Sequence, residues 1–124
     1  MHNFLYRFAF VLFAILVNVS PSFADEALND SVNLTLVISS NNEVNLNSIS
    51  RAEKGINALE AVSRVVVLGT RDTSYGPMIT SLCGVSAIGN TYWALYVDGK
   101  MSPIGAHEVI MNDDTFIRLN LESF

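Results

Sequence analysis

The chain has 124 residues, half of them apolar, a net charge of −5 and a single cysteine. An acidic chain of this size is not built to recognise nucleic acid or an anionic membrane through its overall field. One cysteine excludes an internal disulfide, so the fold must rest on its hydrophobic core.

His2 and Arg7 precede an apolar run from Phe8 to Val19, and Ser22-Phe23-Ala24 has the small-x-Ala form of a cleavage site. These features predict a secretory signal peptide over residues 1–24 and an exported product, periplasmic or extracellular. The apolar run is about twelve residues, short of the roughly 20 that span a bilayer, so no stable membrane insertion is expected after cleavage. Residues 25–124 hold all twelve acids and six of the seven basic residues, a net charge of −6. Residues 25–31 are polar and acidic and read as a flexible lead-in; one small domain is expected over residues 32–124.

Val32, Leu34, Leu36 and Ile38 alternate with polar residues, the pattern of a half-buried strand. Ser39 to Ser50, rich in Asn and Ser, suits a turn or wide loop. Gly55 to Val62 places Ile56, Leu59 and Val62 on one face and is the only convincing helix. Val65 to Leu68 is β-branched enough to predict a strand, and Gly69 to Ser74 a polar connection. At Tyr75-Gly76-Pro77 the proline fixes its own φ and pushes Gly76 towards extended geometry. Met78 to Leu82 continues as an extended apolar segment, and Gly84 to Asn90 as a loop. Thr91 to Val97 reads as a strand closed by an Asp98-Gly99 hairpin turn, with Lys100 to Ile104 as its partner. Asn112 to Asp114 is a polar turn. Thr115 to Leu121 is a last strand, with Ile117, Leu119 and Leu121 opposite Phe116, Arg118 and Asn120. The order predicts an α+β fold, one helix packed on a mixed, mostly antiparallel sheet in a β-grasp-like arrangement.

No chemistry-bearing cluster stands out. One Cys and one His, far apart beyond residue 24, do not make a zinc site. Asn112, Asp113 and Asp114 are adjacent and lack the spacing of a calcium loop. Ser81, Cys83, His107 and Glu108 carry no nucleophile signature, so the chain does not read as an enzyme. His107 reads as a loop histidine. Cys83, in an apolar run, reads first as a small buried hydrophobe, with a reactive thiol or intermolecular bridge as the alternatives. Asn29-Asp30-Ser31 and Asn33-Leu34-Thr35 fit the N-glycosylation pattern, which matters only in a cell that glycosylates exported proteins. The remaining feature is the apolar set Tyr75, Met78, Ile79, Trp93, Tyr96 and Ile104. Two readings are open: the set packs within the core, or it forms a shallow ligand face.

From Gly55 to Leu121 the sequence resembles the small C-terminal β-domain of the vitamin B12 carriers, transcobalamin and gastric intrinsic factor, and its relatives in secreted bacterial proteins. The resemblance is carried by Gly55-Ile56-Asn57-Ala58-Leu59, by Tyr75-Gly76-Pro77-Met78-Ile79-Thr80-Ser81-Leu82-Cys83-Gly84 and by Tyr92-Trp93-Ala94-Leu95-Tyr96. Pro103, Gly105-Ala106 and Asp113-Asp114-Thr115-Phe116-Ile117 complete it. In that family the domain caps one face of the corrin, and a larger helical domain holds the other. The resemblance therefore implies cobalamin or a related corrinoid as ligand. It implies contacts from Ser74, Tyr75, Gly76, Pro77, Met78, Ile79, Trp93, Ala94, Leu95, Tyr96, Pro103 and Ile104, and a helical-domain protein as partner. The family's cobalt-coordinating histidine belongs to the helical domain, and His107 matches no such ligand. Aliphatic and aromatic groups suit a corrin's methyl edge, at roughly 25 cal/mol per Å² buried. A secreted protein-interaction or surface-display module without a corrinoid ligand is the alternative.

Overall fold

The computed structural model describes residues 30–124. The expected signal peptide, and all of the expected lead-in but its last two residues, lie outside them. Asp30 is in a turn and Ser31 already opens the first strand. Contacts gather Val32–Phe124 into one unit. Among the described residues no helix is long and apolar enough to cross a membrane.

The first strand, β1 (Ser31–Ser40), buries Val32, Leu34, Leu36 and Ile38 as its alternation dictates. Asn41 and Asn42 then take φ of 51° and 64°, a left-handed pair that asparagine tolerates and that closes a two-residue hairpin. The chain returns as β2 (Glu43–Glu53). Of the turn or wide loop expected over Ser39–Ser50, only a two-residue turn forms, at Asn41-Asn42, and the rest is strand. Asn and Ser disfavour strands intrinsically, but β2 is an edge strand, paired on one side only, and its side chains are mostly exposed.

The helix, α1 (Ala58–Ser63), is six residues long. Asn57 caps it by accepting a hydrogen bond from the Glu60 amide at 2.9 Å, and Ala58, Ala61 and Val62 are buried beneath it. At 1.5 Å per residue it is only about 9 Å long, too short to cover a sheet. A second sheet takes that role. It runs β3 (Leu68–Thr73), β4 (Gly76–Leu82) and β5 (Val85–Ser86), all antiparallel. Residues 65–67 are not strand, and the supposed polar connection Gly69–Ser74 supplies most of β3.

The larger sheet is completed by β6 (Thr91–Val97), β7 (Lys100–Met101) and β8 (Thr115–Ser123), in the order β2-β1-β8-β6-β7. Here β1 and β8 are parallel, with Leu36 opposite Ile117, and β6 is antiparallel to β8. The Asp98-Gly99 hairpin forms, with φ of 50° and 85°. Its return strand stops at Met101 rather than Ile104. Ser102 Oγ donates to the Ile104 carbonyl at 2.7 Å, and Pro103 has no N–H for a ladder. The protein is thus mostly β, two sheets in a sandwich-like arrangement. The α+β, β-grasp-like expectation is corrected, because a second sheet takes the place given to the helix. Leu34, Leu36, Val62, Leu82, Met111, Ile117 and Leu119 form the fully buried centre.

Candidate functional site

Strand register decides which side chains meet. Across β6 and β8, Trp93 faces Leu121, Leu95 faces Leu119 and Val97 faces Ile117. Side chains alternate along a strand, so these pairs share the inner face. Tyr92, Ala94 and Tyr96 point the other way.

At the turn from β3 to β4, Thr73 Oγ1 accepts from the Tyr75 amide at 3.1 Å and donates to the Gly76 carbonyl at 2.7 Å. Gly76 has φ +103° rather than the expected simple extended backbone. The following proline restrains it, but with no Cβ the residue can take the positive side. After Pro103 the chain turns through Gly105 into a 3-10 turn, Ala106–Glu108. This brings His107 back against Gly76. A Cβ on Gly76 would run into Nε2 of the imidazole and come within 2.7 Å of Cε1; one on Gly105 would lie 2.8 Å from both Cε1 and Nδ1. The ring is cradled between two glycines.

These segments enclose a cavity of about 300 Å³ lined by Thr73, Tyr75, Gly76, Pro77, Met78, Ile79, Trp93, Leu95, Ile104, Gly105, Ala106, His107 and Leu119. No Asp, Glu, Lys or Arg lines it. Tyr75 is 90% exposed, and Met78 and Ile104 are partly open. Trp93, by contrast, is only 8% exposed and belongs to the core. Of the two open readings its burial follows the first, packing in the core, while the residue also lines the cavity.

Eight of the residues expected at the site line this cavity: Tyr75, Gly76, Pro77, Met78, Ile79, Trp93, Leu95 and Ile104. Ser74, Ala94, Tyr96 and Pro103 do not. Ala94 and Tyr96 are excluded by strand alternation, which a contiguous segment reading overlooks. Thr73, Gly105, Ala106, Leu119 and His107 were missed. Period two along β8 could have pointed to Leu119; no local signal marks His107, which a loop returns to the site. The two ring nitrogens Trp93 Nε1 and His107 Nδ1 are buried and have no hydrogen-bond partner among the described residues. His107 Nε2 has Glu108 Oε1 at 3.9 Å.

Tyr96 instead joins a polar network on the outer face. Its hydroxyl donates to Glu122 Oε2 at 2.7 Å, and Asn120 Nδ2 donates to the same oxygen at 3.1 Å. Ser39 Oγ donates to Asn120 Oδ1 at 2.7 Å, and Arg118 lies 5.4 Å from the Tyr96 ring centre. The Glu122 hydrogen bond, with desolvation and the carboxylate charge behind it, raises the Tyr96 pKa above its ordinary 10.0, against a smaller opposing pull from Arg118. The folded-state value then exceeds the unfolded one. Stability from this pair is therefore complete below pH 10.0 and lost as pH rises through the raised value. In a phenolate absorbance titration Tyr96 should ionise above its ordinary pKa, and Glu122→Gln should bring it back towards 10.0. An unchanged titration in the variant would show that Glu122 does not hold the phenol.

Cys83 is exposed, not buried as expected. It sits with Gly84 in the tight turn between Leu82 and Val85, at φ 51°, because the apolar run stops one residue before it. Among the described residues no three His, Cys, Asp or Glu side chains gather as a metal site.

A family model, described as a domain of unknown function (DUF4430), matches residues 52–123, leaving out β1 and most of β2. No curated protein matches the sequence. Among solved structures, the fold is similar to haptocorrin in complex with Cbi, with TM-score 0.67 and 17% identity over 76% of this chain. The chain spans a quarter of haptocorrin's length. It is also similar to a protein from Ruminococcus gnavus ATCC 29149 whose name proposes metal binding, with TM-score 0.62 and 14% identity, over 75% of this chain and 98% of that one. At these identities the likeness is one of fold.

Proposed function

This chain belongs to the DUF4430 family of domains of unknown function, and from that premise we propose that it is an exported, non-enzymatic binding module whose cavity takes one edge of cobalamin or a related corrinoid. The observation that carries this reading is the uncharged cavity of about 300 Å³ beside Trp93. It is lined by the Tyr75–Ile79 corner and the Trp93 strand, the segments that resemble the carriers' cap. The haptocorrin likeness supports the same reading at the level of fold. The export step rests on the signal-like residues 1–24.

Size limits what the cavity can hold. About 300 Å³ is the lower end of ordinary ligand pockets, so a corrinoid enters by an edge and leaves most of its ring outside. The exposed side chains of Tyr75, Met78 and Ile104 then meet the ring at the rim. A ligand covered on one side binds weakly unless a second protein, a helical domain in this proposal, covers the other.

The test is titration with cobinamide and cobalamin. Trp93 is the chain's only tryptophan, so its fluorescence reports directly on the cavity wall. Saturable quenching with a shift in corrin absorbance is expected. Absence of both up to millimolar ligand overturns the corrinoid reading.

A further inference from the structure

We infer that two copies of this chain pair through β2, edge to edge and antiparallel, so that their large sheets run on as one across a two-fold axis. No residue of β2 lines the cavity, so the inference stands apart from any ligand there.

The edges of the two sheets are built differently. An edge strand presents unpaired N–H and C=O groups, and proteins blunt such edges by shortening, charging or bulging them. Among the described residues, three of the four edges are blunted in this way. The edge strands β5 and β7 are two residues each. Within β3 lie Arg71, Asp72 and a register shift between Gly69 and Thr70. The fourth edge is β2, eleven residues long. It has no proline, glycine or lysine, and Val44 to Ser50 carry no charge. Val44 is 63% exposed and Ile49 75%. Such a strand is a template for a further strand.

Charge selects the occupant. The charged residues of β2 stand only towards its ends: Glu43, Arg51 and Glu53, all exposed. When identical strands pair antiparallel, opposite residues turn their backbone groups the same way, so the two-fold passes through one residue position. Centred on Asn47, the pairing sets Glu43 of each copy against Arg51 of the other. Val44 then lies opposite Ser50, and Leu46 opposite Ser48. Centred on Ser48, it would set Glu43 against Glu53 at both ends, and like charges directly opposite destabilise a strand pair. Centred on Ile49, it would lose both Glu–Arg pairs. Arg51 Nη1 donates to Asn33 Oδ1 at 3.1 Å; the cross-strand attraction is one of charge and does not need that bond to break. The strand is thus complementary to itself in one register.

The experiment is sedimentation equilibrium of the protein from about 1 μM to about 1 mM, the range from moderate to weak contacts, with a reductant to keep the exposed Cys83 from crosslinking. A reversible dimer is expected. Glu43→Arg alone and Arg51→Glu alone each set like charges together at both ends, and each should weaken the dimer about tenfold or more. Mixing the two variants sets opposite charges together again and should give a mixed dimer within about threefold of the original affinity. Asn47→Lys, at the exposed centre of the strand, sets like charges against each other at the axis and should also weaken the dimer. A monomer at about 1 mM overturns the inference and leaves the edge to a strand of another protein or to residues 1–29. A dimer indifferent to all three substitutions, one that forms only without reductant, or charge variants that do not recover on mixing overturn it as well.

Discussion

Gly76→Ala should lower folding stability by roughly 2–4 kcal/mol and abolish the proposed ligand binding at the cavity. Two costs add at this position. The backbone sits at φ +103°, where a residue with a Cβ is strained, and the new methyl group would enter the imidazole of His107. The ring cannot retreat freely, since Gly105 closes its other side. Gly84→Ala separates the two costs. Its φ is +80° and nothing lies within 4 Å of an added Cβ, so only backbone strain applies. It should cost about 1–2 kcal/mol and leave the cavity intact. Pairing Gly76→Ala with His107→Ala should then recover the steric part of the loss, a non-additive result readable from chemical denaturation. Strict additivity of the two substitutions would show that Gly76 and the imidazole are not in contact.

Trp93→Ala should destabilise the fold by about 3–5 kcal/mol, the ordinary cost of truncating a large buried aromatic. Trp93 is 8% exposed and packs within the core cluster that includes Leu119 and Ile117. Such a loss is a large share of the roughly 5–15 kcal/mol that holds a domain together. For a domain near 100 residues it corresponds to a fall in Tm of some tens of degrees, at about 4–8 °C per kcal/mol. A thermal melt reads this directly. A fall of only a few degrees would mean that Trp93 stands outside the core and belongs to the ligand surface alone. The alanine variant thus mixes any effect on the cavity with loss of the core.

Several strands are legible because a half-buried strand writes its own pattern. Val32 to Ile38 and Phe116 to Leu121 alternate, and both occupy the centre of the large sheet. Asp98-Gly99 announces its hairpin because few other residue pairs accept two left-handed conformations. The edge elements were hidden. Leu68–Thr73 and Glu43–Glu53 are polar strands whose pairing comes from a neighbour rather than from their own composition. Missing them turned a two-sheet protein into a helix-on-sheet one, since the six-residue helix was given a face that β3, β4 and β5 occupy.

The same division runs through the site. Sequence alone marked the Tyr75–Ile79 corner and the Trp93 strand as the apolar segments that had to be placed, because residue type is a local property. Tertiary structure decided that Trp93 and Leu95 face inward while Tyr96 turns out to Glu122. It also decided that His107 lies between Gly76 and Gly105, residues far apart in the chain. The physical reason is that strand register and loop return are settled by contacts between distant segments. A sequence shows which side chains are able to form a cavity wall; only the packed sheets determine which of them do.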